Sequence, residues 1–415
     1  MIRLSSVTAL LGAAVLGVAA LSACGGGGGG AGGTGGGSGN GDDGGGSGAV
    51  PGGNCPVSRA APIAIAVGAR SNVPQTQFPP VALQALRTAA DNGKQVSLIR
   101  IDGRPKVLPL PAFTTNARNK RARSRALDNY IATYVQPALN GNGDGSVHAQ
   151  AAEADVLTAL NLAASSAGRG GDIIMVDSGL QTTAPLDYRQ PGQFAAEPDQ
   201  VVDFLKRQKL LPDLSGRNVL LSGFGYTASP QPPLSQKWRD NIINQWTAIV
   251  RAGGGCAEAD TKPNTAAELD GMPKVTPVTP PPPVSFAGCG DTALTDADHV
   301  GFVKGRDTFT DPGGARATLR RLADVLKNGD QHATLIGSTS SEGGDAINDP
   351  LSQKRADRVK SELVSLGISG ERITARGVGA HLEGRADDRS EDGDLLPGPA
   401  ALNRKVVVRL PKCAQ

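Results

Sequence analysis

The first half of the chain alternates between short apolar runs and longer segments whose apolar residues recur at helical spacing. The apolar runs, which predict strands, are 62–67, 96–101, 172–176 and 218–221. The amphipathic segments, which predict helices, are 80–92, 118–139, 148–165, 201–209 and 234–252. Strands that alternate with helices form a parallel sheet that is covered on both faces. The pattern therefore predicts a three-layer α/β domain with a parallel sheet.

A second and shorter pattern follows towards the C-terminus. Its predicted strands are 299–303, 333–336, 372–375 and 405–410, and 314–326 is predicted to be a helix. Another helix is predicted to begin at Asp349-Pro350 and to end at Gly367. Asp caps the free N–H groups of a helix start, and Pro suits the first helical position. Together these elements predict a second α/β domain, folded as a sandwich.

Two segments of biased composition separate these patterns from the N-terminus and from each other. Residues 24–54 are dominated by Gly and Ser after the first cysteine and predict a flexible tether. Residues 257–288 are rich in Pro and Thr and predict a semi-rigid polyproline spacer. The first domain is therefore predicted at 55–256 and the second at 289–413.

The cysteines fit these boundaries. The chain has five cysteines, and four of them remain when Cys24 is set aside. We predict the disulfides Cys55–Cys256 and Cys289–Cys413, because each would join the two ends of one domain. Free or crossed thiols are the alternatives. None of the cysteines has the C-x-x-C spacing of a redox or zinc site.

Residues 1–23 have the features of a secretory signal peptide. Met1-Ile2-Arg3 gives a positive start, an apolar run follows at 7–21, and small residues precede Cys24. This ending resembles the lipid-attachment box of bacterial lipoproteins. The resemblance implies that Cys24 carries lipid, including palmitate, and anchors the chain to the extracytoplasmic face of the cell membrane. The alternative is an uncleaved transmembrane anchor, although the apolar run is shorter than the roughly 20 residues of a bilayer span.

Composition and motifs argue against several classes of function. The chain has 42 basic and 39 acidic residues, and only 3% of its residues are aromatic, which argues against nucleic-acid binding. It contains no nucleophile elbow and no Walker loop, and its four histidines are scattered. We therefore predict that the protein is not an enzyme and has no catalytic residues, metal site or cofactor.

The most specific motifs lie near the C-terminus. Residues 348–359 read Asn-x-x-Leu-Ser-x-x-Arg-Ala-x-x-Val, residues 377–379 read Gly-Val-Gly, and residues 403–406 read Asn-Arg-Lys-Val. These motifs resemble the signature of the OmpA-like C-terminal domain, an envelope module that binds peptidoglycan. The resemblance covers roughly residues 290–413. One departure lies at 337–340, where the family has Gly-His-Thr-Asp and this chain has Gly-Ser-Thr-Ser.

The resemblance implies a site for a zwitterionic amino-acid end, such as that of diaminopimelate in the wall peptide. Arg355 would take the carboxylate in a bidentate manner, and Asn348 is a further candidate contact. Ser340 would accept a hydrogen bond from the ammonium group, but it brings no charge. Glu342 and Asp345 are near enough in sequence to supply that charge.

Each of these residues also has a structural alternative. Arg355 could form a salt bridge that supports the fold, and Asn348 and Asn403-Arg404 could fix loops to the sheet. Contacts in the folded chain distinguish these roles.

The first domain resembles a von Willebrand factor A-type fold in its element order and in Val176-Asp177-Ser178-Gly179 after a strand. That family binds a divalent cation through Asp-x-Ser-x-Ser after its first strand. The corresponding residues 68–72 lack the carboxylate, and they place Arg70 where the ion would bind. The resemblance therefore implies a domain that binds a protein partner, not identified by the sequence, without a metal.

Two functions are consistent with these features. The first is a lipid-anchored envelope protein that links the membrane to peptidoglycan without covalent chemistry. The second is an envelope adaptor whose two modules have lost their ligand sites and bind proteins. The departures at Gly68 and Ser340 favour the adaptor, and the retention of Arg355 and Asn403-Arg404 favours the wall link.

Overall fold

The computed structural model describes residues 55, 57, 60–75, 78–137 and 148–411. The predicted signal peptide, the tether and Cys24 lie outside the described residues. The described residues form one compact unit that contains two sheets. We call residues 55–278 the first lobe and residues 284–411 the C-terminal lobe.

The first lobe is a six-stranded sheet with helices on both faces. Its strands are β1 (Ile63–Val67), β2 (Val96–Arg100), β3 (Lys106–Leu108), β4 (Asp172–Val176), β5 (Asn218–Ser222) and β6 (Cys256–Asp260). Its helices are α1 (Pro80–Asp91), α2 (Lys120–Tyr130), α3 (Val156–Ala167), α4 (Pro198–Arg207) and α5 (Gln236–Ala252), and α2 continues as a π-helical turn at Ile131–Val135. The strand order is β3-β2-β1-β4-β5-β6, and only the edge strand β3 is antiparallel to its neighbour.

The continuous apolar runs explain the three layers. Every residue of β1, β4 and β5 is buried, and successive side chains contribute to opposite cores. Ala64 and Ala66 lie in the core with α3 and α5, whereas Ile63 and Ile65 lie in the core with α1 and α2. The predicted three-layer α/β arrangement is confirmed.

The C-terminal lobe has one sheet with the order β7-β10-β8-β9. Its strands are β7 (Gly290–Leu294), β8 (Ala333–Ser338), β9 (Ile373–Gly377) and β10 (Lys405–Leu410), and its helices are α6 (Pro312–Lys327), α7 (Asp345–Ser365) and α8 (Pro397–Asn403). β8 and β9 are parallel, and β10 is antiparallel to both of its neighbours. Apolar residues of α6 and α7 share one core with the sheet, so the predicted α/β sandwich is confirmed.

Two element predictions for this lobe were wrong, and one helix was missed. The first strand is β7, not 299–303, because Thr295 and Asp298 form a capping box around a 3-10 turn and His299 has φ +63°. Helix α7 begins at Asp345, four residues before the predicted Asp349-Pro350 start. Pro350 therefore lies in the second turn of the helix, where it leaves the Ala346 carbonyl without its usual helical N–H donor. Helix α8 was not predicted.

The Pro/Thr-rich segment packs against the first lobe and is not a free spacer. Val275 and Val278 are completely buried, and the Gln231 side chain bonds both the N–H and the carbonyl of Val278, each at 2.7 Å. Two buried valines thus anchor a segment whose composition predicts exposure.

Cys55 and Cys256 are joined by a disulfide, with their Cα atoms 5.7 Å apart. The bond ties the start of the first lobe to β6. Cys289 is also disulfide-bonded, and its predicted partner Cys413 lies outside the described residues.

Candidate functional site

A cavity of about 210 Å³ opens between the end of β8 and the N-terminal half of α7. Both lobes line it. Its lining residues are Glu197, Gln200, Lys304, Gly305, Thr339, Ser340, Glu342, Gly343, Ile347, Asn348, Leu351, Arg355 and Arg404. The cavity thus brings together the three predicted ligand residues, Ser340, Asn348 and Arg355.

Close backbone packing fixes α7 against the sheet at this point. A Cβ at Gly337 would lie 2.1 Å from the Ser352 carbonyl oxygen, so only glycine fits there. The Ser352 hydroxyl accepts a hydrogen bond from the Gly379 N–H at 2.8 Å. Gly337 and Ser352 therefore fix the position of α7 on the sheet, and with it the position of Arg355 in the cavity.

Arg355 is buried, with only 3% of its surface exposed. Its Nε donates to the Arg306 carbonyl at 3.0 Å and its Nη2 to the Val303 carbonyl at 3.4 Å. Its guanidinium also lies 5.1 Å from the centre of the Phe302 ring. Arg355 forms no salt bridge with the described residues, so the structural alternative of an ion pair is not what the fold contains.

Two further polar groups of the cavity wall are unsatisfied. The Nδ2 atom of Asn348 and the Oγ1 atom of Thr339 are buried and have no hydrogen-bond partner among the described residues. Buried polar groups are rarely left unpaired, and an unpaired one often marks a functional position. Asn348 and Thr339 could therefore donate hydrogen bonds to a ligand carboxylate beside Arg355.

Asn403 has a different role. Its amide exchanges two hydrogen bonds with the Ala386 backbone, both at 2.9 Å, and donates to Asp388 at 3.0 Å. Burial opposes ionisation of Asp388, but hydrogen bonds from Ser341, Asn403 and Arg385 outweigh it and lower its pKa. Asn403 thus fixes the acidic loop to the sheet, which is the loop-fixing alternative.

The two acidic residues that could replace the family aspartate have separate positions. Glu342 lines the cavity, but it is paired with Lys304 at 3.1 Å and accepts a hydrogen bond from Gln200. Asp345 is exposed and contacts His381 at 2.9 Å. Asp345, Asp349 and His381 form an exposed group whose side chains are close enough together to ligate a cation, although no other observation indicates a ligand there.

The first lobe supplies part of the cavity wall. Arg404 donates to the Gln200 side chain at 2.9 Å and to the Ala195 carbonyl at 3.4 Å. A Cβ at Gly192 would lie 2.1 Å from the Gly398 carbonyl oxygen, so the two lobes meet backbone to backbone. The sequence contains no sign of this contact, because the partners lie about two hundred residues apart.

The charges of the cavity influence one another. Burial and, to a smaller extent, nearby Arg404 together lower the pKa of Arg355 to about 10, although Glu197 and Asp307 oppose the shift. Burial raises the pKa of Glu197, and Arg404 and Lys304 oppose that shift. Arg355 remains a cation at neutral pH.

The sheet crevice of the first lobe is closed by its own side chains. Arg70, just after β1, and Asp177, just after β4, form a bidentate ion pair with both side chains completely buried. Asp177 also accepts a hydrogen bond from the Gly179 N–H at 2.7 Å. A Cβ at Gly68 would clash with both partners, so glycine is required there. The guanidinium thus satisfies both oxygens of the Asp177 carboxylate.

None of the helices in the described part of the chain combines the length and apolar character needed to cross a bilayer.

The C-terminal lobe is similar in sequence to known proteins. The model of the OmpA family matches residues 302–394. Probable lipoprotein YiaD of Escherichia coli is 36% identical over 28% of this chain and 56% of its own length. Peptidoglycan-binding protein ArfA of Mycobacterium tuberculosis is 33% identical over 28% of this chain and 39% of its own length.

Among solved structures, the peptidoglycan-associated lipoprotein from Burkholderia pseudomallei is 24% identical, with a TM-score of 0.23, over 26% of this chain and 86% of that one. The matched residues 302–394 include α6, β8, α7 and β9, and they contain Ser340, Asn348 and Arg355. The C-terminal lobe of this chain is an OmpA-like domain.

Proposed function

We propose that this protein binds peptidoglycan non-covalently through its OmpA-like lobe and is anchored to the cell membrane by lipid at Cys24. It would then link the extracytoplasmic face of the membrane to the wall, without catalysis and without a cofactor. The name of the relative ArfA states peptidoglycan binding, and the name of YiaD states a probable lipoprotein. Both names support the proposal.

The observation that carries the proposal is the state of Arg355. A buried guanidinium without a carboxylate partner among the described residues is costly unless an anion binds it. The unsatisfied Asn348 and Thr339 groups lie in the same cavity wall. Together they suit one carboxylate of a wall peptide, because charge-assisted and bidentate hydrogen bonds are the strongest available to such a group.

The size of the cavity supports a small ligand group. About 210 Å³ is less than the ~300–1,000 Å³ of pockets for drug-sized ligands. The end of one amino acid fits this space better than a whole muropeptide does. The glycan and the rest of the peptide would remain outside.

The proposal is tested by co-sedimentation of the full chain with purified peptidoglycan. Arg355→Ala should weaken retention about ten- to hundredfold, because a charge-assisted contact of about 1.5–3 kcal/mol is lost. Arg358→Ala is the matched control, since Arg358 lies one turn further along α7 and contacts Phe309 and Glu362 instead of the cavity. Thermal unfolding of both variants reports whether they are folded. Equal retention of folded Arg355→Ala and wild-type protein would contradict binding at this site.

The alternative function is an envelope adaptor whose two modules bind proteins. The first lobe supports it, because the parallel sheet and the position of Asp177 are consistent with the proposed von Willebrand factor A-like character, and Arg70 fills the crevice. A protein partner would then contact the outer surface of this lobe. In the same sedimentation assay, this alternative predicts that neither arginine variant differs from the wild-type chain.

A further inference from the structure

Glu197 is an acidic group of the cavity that comes from the other lobe. It is the N-cap residue of α4, yet its side chain makes no capping hydrogen bond. Its carboxylate has no hydrogen bond or ion pair with the described residues, although the residue is half-buried. A partly buried carboxylate without a direct partner is unusual in a structural role and is more typical of a binding site.

Among the described residues that line the cavity, Glu197 is the acid that remains available to bind a cationic group. Only Glu197 and Glu342 are acidic among the described lining residues, and Glu342 is already paired with Lys304 and Gln200. Ser340, where the family motif has an acid, is 5% exposed and carries no charge. Arg355 supplies a cation without a carboxylate partner among the described residues. Among the described lining residues, the cavity thus contains two cations without a carboxylate partner, Arg355 and Arg404, and one acid without a direct partner, Glu197.

The lobe contact holds Glu197 in a fixed position. The carbonyl of the preceding residue, Ala196, accepts hydrogen bonds from Asn241 at 3.2 Å and from Gln245 at 3.0 Å. Three residues later, Gln200 bonds Arg404 of the C-terminal lobe. The N-terminus of α4 is therefore tied both to its own lobe and to the cavity wall.

We propose that Glu197 is the ammonium-binding residue of the peptidoglycan site, so that the site is shared between the two lobes. The carboxylate of a zwitterionic amino-acid end binds Arg355, and its ammonium group binds Glu197 in place of the acid that is missing at Ser340. This inference rests on the proposed function and adds a specificity: the ligand must carry both charges.

A direct contact between Glu197 and Arg355 predicts the opposite change in ligand affinity when Glu197 is neutralised. If the Glu197 carboxylate occupied the arginine site as a substitute ligand, its removal would free the site and tighten binding. The direction of the change on neutralising Glu197 therefore separates the two roles.

The test uses the full chain and two compounds that differ only in their ammonium groups. Binding of meso-diaminopimelate and of pimelate, the same dicarboxylic chain without amino groups, is measured by calorimetry. Glu197→Gln should weaken diaminopimelate binding about ten- to hundredfold and leave pimelate binding unchanged. Adding Ser340→Asp to Glu197→Gln should restore the preference for diaminopimelate, because it returns an acid to the same cavity.

Asp203→Asn is the matched control, since Asp203 is an exposed acid of the same helix whose one ion pair among the described residues is with Lys206 at 4.0 Å. If Arg355→Ala abolishes binding but Glu197→Gln leaves the preference unchanged, the proposed function stands and the shared site is wrong. Tighter binding by Glu197→Gln overturns the inference in favour of an internal ligand. A wild-type chain that binds neither compound rejects both the inference and the proposed ligand.

Discussion

Each lobe buries an arginine close to the carboxyl end of its sheet, Arg70 in the first lobe and Arg355 in the C-terminal lobe. Arg70 is completely buried and pairs with Asp177 through two hydrogen bonds. Arg355 is almost as buried, but its contacts are two backbone carbonyls and an aromatic ring. The charge of Arg70 is neutralised within the fold, whereas the charge of Arg355 is left for an external anion.

Structural and ligand-binding arginines differ in the groups that surround them. Burial is nearly equal in the two cases, so burial does not distinguish them. The deciding difference is a carboxylate within hydrogen-bond distance, because a paired buried charge is neutralised and an unpaired one is not. Variants at the two sites should therefore have different effects on stability and on binding.

The largest expected effect is on stability, at the Arg70–Asp177 pair. Asp177→Asn should lower the free energy of unfolding by about 3–5 kcal/mol, because it leaves the buried Arg70 cation uncompensated. Asn can still accept the hydrogen bond from Gly179, so the loss reports the charge. Urea unfolding followed by circular dichroism measures the change.

The control for this prediction is Asp128→Asn, which removes one partner of an exposed ion pair with Arg87 in the same lobe. Its effect should be at most about 1 kcal/mol. The double variant Arg70→Met with Asp177→Asn should recover much of the lost stability, since no unpaired charge remains. A change for Asp177→Asn no larger than that of the control would show that Arg70 does not need its partner.

Local sequence features predicted much of the fold and of the site. The apolar runs gave every strand of the first lobe except the edge strands β3 and β6, because buried strands are continuous in apolar residues. The motif residues Ser340, Asn348 and Arg355 were predicted as neighbours, and the cavity contains all of them. Such features are local, or they belong to a motif whose spacing is known.

Contacts between distant residues were not predictable in this way. Glu197 stands in no motif, and only the packing of α4 against the C-terminal lobe brings it to Arg355. The Arg70–Asp177 pair was missed for the same reason, although both residues had been singled out separately. A polar residue at the end of a buried strand signals a possible site, but its partner depends on strand order.

A smaller effect is expected where the two lobes meet. Gly192→Ala adds a methyl group at φ +85°, and this group would lie 2.1 Å from the Gly398 carbonyl oxygen. The clash should lower the free energy of unfolding by about 1–3 kcal/mol and move Glu197 away from Arg355. Diaminopimelate binding should weaken with it, whereas pimelate binding, which does not need Glu197, should weaken less.

Gly216→Ala is the control for the lobe contact. Gly216 has φ +71°, and its Cβ would have no neighbour closer than 4.0 Å, so it reports backbone strain without a clash. Its cost should be about 1 kcal/mol, with no change in binding. Equal effects of the two glycine variants on diaminopimelate binding would argue against a site that depends on the lobe contact.

The smallest expected effect is a dependence of binding on pH. Burial raises the pKa of Glu197 above its ordinary value of 4.5; Asp199 and Asp296 add to the shift, and Arg404 and Lys304 oppose it. Diaminopimelate affinity should therefore begin to fall at a pH above the usual carboxyl range, by about tenfold per pH unit below the raised pKa. Arg355, with a pKa of about 10, keeps its charge throughout.

The raised pKa of Glu197 affects stability in the direction opposite to its effect on binding. The folded chain binds the Glu197 proton more tightly than the unfolded chain, so this residue contributes stability at low pH that is lost as the pH rises through the raised pKa. Acid should therefore weaken binding while it slightly favours the fold at this position. Calorimetry and unfolding across the same pH range test both halves, and Glu197→Gln should remove both. A wild-type affinity that stays constant across this range would mean that the ammonium group does not bind Glu197.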